Sequence, residues 1–361
     1  MSPRKYALLF LLATGVAVYS QSPQKPVEQT PEGDVKFSSN TQTVIAPVLV
    51  TDRAGNIIDG LRPNQFHLFD NNKEQNIQVD VSFQPISLVI AIEASDKVES
   101  ILPQIKHMGS LTPMLIGEQG EAAVVAFDSR VKVLQDFTND GDKVKAAITK
   151  INAGNSQDRM IDAVEKGTMM LRGRPKANRK IILLISETRD QGSEARVRET
   201  LINAQLNNIL IYCVDITQVA VRLTQKQDQP RPDPILPSMR SLPMGVPSTP
   251  TTIARENNVG NQAQFIPVLK EIYKGVKLIF VDNPNKVFAK GTGGGEFTFL
   301  KTRGLEDIVQ RIGQEIHSQY IITYTPNNQD EGGFHELEVT TDRSDLLAKT
   351  RPGYFIAGGK K

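Results

Sequence analysis

The sequence predicts an α/β protein built on a doubly wound, mostly parallel sheet, with a small flanking β-sandwich-like module. Three observations carry that expectation. The run Leu88–Ile92 is continuously apolar and ends in Glu93-Ala94-Ser95-Asp96-Lys97, as does a strand buried on both faces that feeds a polar loop at a sheet edge. From Ile86 to Val214, strand-like runs alternate with helix-like ones, the rhythm of a sheet covered on both faces. Before and after that block the pattern changes to short runs such as Ile77–Phe83 that alternate apolar and polar residues, as half-buried antiparallel strands do.

The 361 residues suffice for one large domain and a smaller one. Hydrophobic content of 39% and charged content of 23% are those of a soluble globular chain. A net charge of +2 gives no reason to expect nucleic acid as a partner. Ser2-Pro3-Arg4-Lys5 followed by the apolar run Ala7–Val18 reads as a secretory signal peptide over residues 1–20, with Val18 and Ser20 at the −3 and −1 positions of a cleavage before Gln21. That predicts a secreted or periplasmic protein. No later run is long and apolar enough for a transmembrane segment. The single cysteine, Cys213, lies in the apolar run Ile209–Val214 and is expected to be a buried structural thiol.

In chain order, residues 21–42 are polar and Pro-rich, a disordered leader. An N-terminal β module is expected over 43–84, from Val44–Asp52, Leu61–Asn72 and Ile77–Phe83. The α/β domain spans 85–318. Its strands are Ile86–Ile92, Glu121–Phe127, Val131–Gln135, Lys180–Ser186 and Ile209–Val214; its helices are Val98–Leu111, Lys143–Ile151, Met160–Leu171 and Glu194–Asn207. Seven of the 21 prolines fall between Pro230 and Pro250, which predicts a flexible insertion over about 218–261. Phe265–Phe280 has helical spacing of its apolar residues, as does Leu305–Ile316. Between them, Asn283-Pro284 opens a short helix that the glycines from Gly291 to Gly295 end, and Glu296–Leu300 is a short strand. Strands at Tyr320–Tyr324, His335–Thr340 and Arg351–Phe355 place a C-terminal β segment over 319–361 against the N-terminal module, since two or three strands alone make no core.

Leu88–Ser95, Val124–Asp128, Asp162-Ala163, Lys180–Asp190 and Lys290–Gly294, in that order, resemble a von Willebrand factor A (VWFA) domain, a Rossmann-like fold. With the tail Tyr320–Pro326 and Arg351–Tyr354, the chain is similar to the secreted VWFA-related proteins of acidobacteria. The resemblance implies a metal-ion-dependent adhesion site, where magnesium is held by Asp-x-Ser-x-Ser after the first strand, a threonine in a later loop and an aspartate after the fourth strand. Here the site is degenerate. Glu93 stands at the first aspartate, Ser95 is kept, Lys97 replaces the second serine, Asp158 falls at the threonine and Glu187 replaces the last aspartate. Glutamate reaches about 1.5 Å further than aspartate and disturbs octahedral geometry. Lysine has no acceptor and cannot ligate a metal. Two outcomes are open: Lys97 acts as a built-in cation among Glu93, Asp158 and Glu187, or magnesium or calcium is retained on Glu93, Ser95, Asp158 and Glu187.

The remaining motifs carry no chemistry. The glycines Gly291 and Gly293–Gly295 lack the ending of a phosphate loop and precede a strand. His67, His107, His317 and His335 lack metal-ligand spacing and are expected to be ordinary surface or element-end histidines. Arg172–Lys176 is expected to be a solvated loop, and Asp162 a structural brace. No catalytic set emerges, so no enzyme and no cofactor other than that cation is expected. The function expected is a non-enzymatic protein-binding, cell-adhesion-type module that uses the loop tops Glu93–Lys97, Asn155–Asp158 and Glu187–Asp190, with the Pro-rich insertion as a second contact. The alternative is a structural cell-envelope component in which the α/β domain is a rigid scaffold.

Overall fold

The computed structural model describes residues 43–80, 84–217, 266–267, 269–270, 283–299 and 304–356. The expected signal peptide, the leader, the Pro-rich insertion and most of the helix expected over Phe265–Phe280 lie outside the described residues.

The chain enters as β1 (Val44–Asp52), followed by β2 (Phe66–Asp70), β3 (Lys73–Glu74) and β4 (Ile77–Asp80). The turn after β1 is an aspartate turn: Asp52 Oδ1 accepts from the Ala54 and Asn56 amides at 2.8 and 2.9 Å. The α/β block follows as β5 (Ile86–Glu93), α1 (Leu102–Met108), α2 (Thr112–Ile116), β6 (Glu121–Phe127), β7 (Val131–Thr138), α3 (Gly141–Thr149) and α4 (Met160–Arg172). It continues through β8 (Arg179–Ser186), α5 (Val197–Leu206), β9 (Ile209–Asp215), α6 (Pro284–Thr292), β10 (Glu296–Thr298) and α7 (Leu305–His317). The chain closes with β11 (Tyr320–Tyr324), β12 (Gly333–Thr341), β13 (Leu346–Lys349) and β14 (Gly353–Ile356).

The central sheet has the order β10-β9-β8-β5-β6-β7, parallel except for β7, which runs antiparallel to β6 at the edge. All eight residues of β5 are buried, which is why its sequence is apolar without alternation. Side chains alternate across a strand, so Leu88, Ile90 and Ile92 enter one core with α1, α3 and α7. Val89 and Ala91 enter the other, with α4, α5 and α6. The doubly wound, mostly parallel sheet is therefore present as the sequence predicts.

The strands before and after this block pair with each other. One four-stranded sheet has the order β13-β1-β11-β4 and the second β14-β12-β2-β3, and Val48, Leu68, Ile322 and Leu337 lie in the core between them. Pairing such as Val48 with Tyr320 closes the fold around the α/β domain from both ends of the described chain.

Local differences from the sequence expectation have identifiable causes. The expected helix Val98–Leu111 is a 3-10 turn at Asp96–Val98, then α1, a second 3-10 turn at Gly109–Leu111, and α2. Pro103 and Pro113 stand in the first turns of α1 and α2, where a missing amide hydrogen is tolerated. Each proline thus starts a new short helix. The helix expected from Glu194 begins at Val197, because the amides of Glu194 and Ala195 donate to Asp162 instead. β7 continues past Gln135 to Thr138; β3, two charged residues, and β13, four residues with no alternation, are too short to show in the sequence.

Candidate functional site

β5 and β8 are neighbours, with Ile92 opposite Ile185. Parallel strands end at the same sheet edge, where ligand sites of α/β folds collect. Glu93, the last residue of β5, and Glu187, the first after β8, are consequently delivered side by side. The loops above them are stitched by backbone bonds. The Ala94 amide donates to Phe127 O at 2.8 Å, and the Gly154 amide donates to Ala94 O at 2.7 Å. Glycine suits that approach, since a Cβ on Gly154 would lie 2.1 Å from Asp128 Oδ2, forcing that side chain to shift, and 3.2 Å from Ala94 O. The loop before α4 is thus laid over the end of β5, and it carries Asp158 there.

One carboxylate oxygen from each of Glu93, Asp158 and Glu187 lies within 4.8 Å of the others, a spacing that suits a shared cation. Ser95 Oγ donates to Glu93 Oε1 at 2.6 Å, and the Glu187 amide donates to Glu93 Oε2 at 2.7 Å. Asp158 Oδ1 accepts from the Gln191 amide at 3.1 Å, whereas Asp158 Oδ2 is buried and accepts no hydrogen bond. Lys97 Nζ faces that oxygen at 3.5 Å and Glu187 Oε2 at 3.7 Å. The five residues singled out by the sequence, Glu93, Ser95, Lys97, Asp158 and Glu187, therefore form one cluster.

The electrostatics follow from burial. Glu93 is 1% exposed; its burial, reinforced by the charges of Asp158 and Glu187 and opposed by its hydrogen bonds, pushes its carboxyl up to about 7. Burial pushes Asp158 up to about 6, against the pull of the Lys97 charge. Asn285, which the sequence did not single out, and Asp190, the end of the expected loop top Glu187–Asp190, complete the shell. Asn285, from α6, donates to Glu187 O at 3.0 Å, and Asp190 anchors the loop after β8 by accepting from the Ile161 amide and Ser193 Oγ.

A resident magnesium would need an octahedron of oxygen ligands at about 2.0–2.1 Å. The donor set does not fit one. The point where Asp158 and Glu187 converge faces the Lys97 ammonium, which repels a dication and has only donors to offer.

A second buried polar cluster lies in the β-sandwich, and sequence reasoning missed it. Asp70 Oδ2 accepts from the hydroxyls of Tyr324 and Tyr354 at 2.8 and 2.7 Å. Asp70 Oδ1 accepts from Asn328 Nδ2 at 3.1 Å and faces His335 Nδ1 at 2.7 Å. Burial pushes the Asp70 carboxyl up, but the bonds from His335, Tyr354, Asn328 and Tyr324 outweigh it and hold it below the usual range. His335 is accordingly no surface histidine; it is fully buried. The expectation for His67, His107 and His317 holds, as all three lie at exposed positions or partly so.

Other candidates also find their places. Arg174 leaves the basic loop to pair with Glu121, its Nε 2.6 Å from Oε1, and lies over the Phe137 ring. Asp162 holds Arg159 at 2.7 Å and caps the amides of Glu194 and Ala195. Gly293, at φ +87°, ends α6 in the left-handed conformation. Cys213 is fully buried.

No protein-family model and no curated protein matches the sequence. Solved structures are similar to it over parts of its length. The vWF domain of the type V pili tip protein Mfa5 from Porphyromonas gingivalis matches 29% of this chain at 18% identity, with a TM-score of 0.26. The chain spans 38% of the length of that structure. The conserved hypothetical protein BatB from Bacteroides thetaiotaomicron matches over 64% of this chain and 97% of its own, at 14% identity and a TM-score of 0.39. The VWA domain of SpRpn10 matches over 40% and 84%, at 13% identity and a TM-score of 0.30. The sheet ordered β10-β9-β8-β5-β6, with an antiparallel β7 at its edge and helices on both faces, is the mostly parallel α/β architecture that the resemblance to VWFA domains implies.

Proposed function

We propose that this protein is a secreted or periplasmic, non-enzymatic binding module of adhesion type that recognises a partner protein through the loop tops Glu93–Lys97, Asn155–Asp158 and Glu187–Asp190. The observation that carries this reading is the convergence of three loops, from distant parts of the chain, on one stitched cluster of buried carboxylates at the sheet edge. A scaffold has no need of buried carboxylates there, and their desolvation works against stability. Asn155, Gln157 and Arg189 stand exposed around the cluster and offer a polar rim of the kind found at recognition surfaces.

The non-enzymatic part of the reading is supported by where the reactive side chains lie. The Cys213 thiol is sealed in the sheet and pushed well up by burial, and His335 is enclosed in the sandwich. Export is supported by the basic start and the apolar run Ala7–Val18.

Affinity capture from envelope extracts of the source organism tests the proposal. Asn155→Arg, Arg189→Glu and a form with Glu93, Asp158 and Glu187 neutralised should each reduce capture of the same partner about tenfold or more. Lys176→Glu, at the opposite end of the sheet, should leave it unchanged. Equal capture by all forms would identify a structural component whose loop tops are idle.

A further inference from the structure

We propose that Lys97 is the resident cation of this loop top, so that the surface is organised without any divalent metal; the inference rests on the reading of the loop tops as a binding face. Lys97 is carried by the 3-10 turn Asp96–Val98, which is closed by the Val98 amide donating to Ser95 O at 3.3 Å. Val98 is fully buried and pins the turn to the core. The ammonium stands 3.5 Å from Asp158 Oδ2 and 3.7 Å from Glu187 Oε2, with only 27% of the side chain exposed. Asp158 Oδ2 accepts no hydrogen bond, so Lys97 is the positive group that compensates this buried carboxylate. Removing one member of such a pair leaves an uncompensated charge.

A dication cannot simply join this arrangement. It would be repelled by the ammonium and would have to displace it, and would then share Glu93 with the donors from Ser95 and Glu187 that already bond both of its oxygens. A tethered cation also differs from a bound ion in being insensitive to dilution and to chelators, because its effective concentration is set by the chain. The loop top would therefore keep its shape whatever the divalent ion content around it.

Calorimetric titration with magnesium chloride and calcium chloride, together with thermal melts at pH 8 in EDTA, tests this on the full chain and its variants Lys97→Met and Lys97→Arg. The wild type should show no saturable binding at roughly millimolar metal and an unchanged melt in EDTA. Lys97→Arg should melt close to wild type, and Lys97→Met lower by roughly 4 °C or more. Saturable micromolar binding by the wild type that Glu93→Ala abolishes would overturn the proposal, as would a Lys97→Met melt equal to wild type. If Lys97→Met does not fold, the wild-type titration and the Lys97→Arg melt decide. Partner capture separates this inference from the functional reading. Capture that EDTA abolishes would end the tethered-cation account while leaving recognition in place. Failure of every form to capture a partner would end the recognition account, and Lys97 would still be read by titration and melts.

Discussion

Asp70 and Asp158 are both fully buried, and they have been treated in opposite ways. Asp70, at the end of β2, is met by two tyrosine hydroxyls, an asparagine amide and a histidine nitrogen. Its carboxyl is held below the usual range. Asp158, above the parallel sheet, has one oxygen without a hydrogen bond and a half-buried ammonium 3.5 Å away. Its carboxyl is pushed up to about 6, and that of its neighbour Glu93 to about 7. A fully bonded buried charge locks two sheets of a sandwich together. An incompletely bonded one at a sheet edge costs stability and is explained by what it does there. The contrast separates the clasp of the fold from its recognition surface.

The largest expected effect lies on the clasp. Asp70→Ala leaves the donors of Tyr324, Asn328, His335 and Tyr354 without their shared acceptor inside the sandwich, and should destabilise the protein by about 3–5 kcal/mol in urea unfolding. A loss below about 1 kcal/mol would show that these groups re-pair among themselves, and would remove the distinction between the two clusters.

The next effect is a pH dependence of opposite sign in the two places. Glu93 has a folded value above its unfolded one, so its contribution to stability is complete below about 4.5 and is lost as pH rises through about 7. That loss amounts to roughly 3 kcal/mol at most. Asp158 acts in the same direction, its contribution being lost as pH rises through about 6. Asp70, held low, contributes above its ordinary value, and that contribution is lost as pH falls through its folded value. Denaturant midpoints followed from pH 4 to pH 8 should therefore show a decline toward pH 8 that Glu93→Gln flattens. A midpoint that climbs throughout that range in the wild type, unaltered by Glu93→Gln, would contradict the assignment.

The smallest effect sharpens the comparison within the loop top. Ser95→Ala removes the 2.6 Å hydrogen bond to Glu93. It should cost about 1 kcal/mol at pH 8 and less at pH 5, where a protonated Glu93 needs the donor less. A cost independent of pH would mean that Ser95 serves only the backbone turn.

The two clusters also differ in how legible they were in the sequence. Glu93, Ser95 and Lys97 lie within five consecutive residues at the end of an apolar run, and Glu187 follows a second such run. The rule that loops gather at the carboxyl ends of parallel strands then links them, and the resemblance supplied the position of Asp158. Asp70 gave no such signal. Its partners come from Tyr324, Asn328, His335 and Tyr354, each more than 250 residues away in the chain, and antiparallel pairing of the two chain halves brings them together. The same physics governs the elements. β5 was plain from its continuous apolar run and α7 from its helical periodicity, whereas the break between α1 and α2 depended on where Pro103 and Pro113 fell within their turns. Asn285 and Gln191 contribute through bonds set by tertiary packing, which no local pattern encodes.

The most direct test of the contrast is a carboxyl-carbon NMR titration of the folded protein, with Glu93, Asp158 and Asp70 assigned by Glu93→Gln, Asp158→Asn and Asp70→Asn. Glu93 should titrate with a midpoint of about 7 and Asp158 of about 6, while Asp70 stays ionised below the ordinary aspartate value. Midpoints for all three within the ordinary carboxylate range would contradict the account, since the loop top would then hold its charges no differently from the clasp.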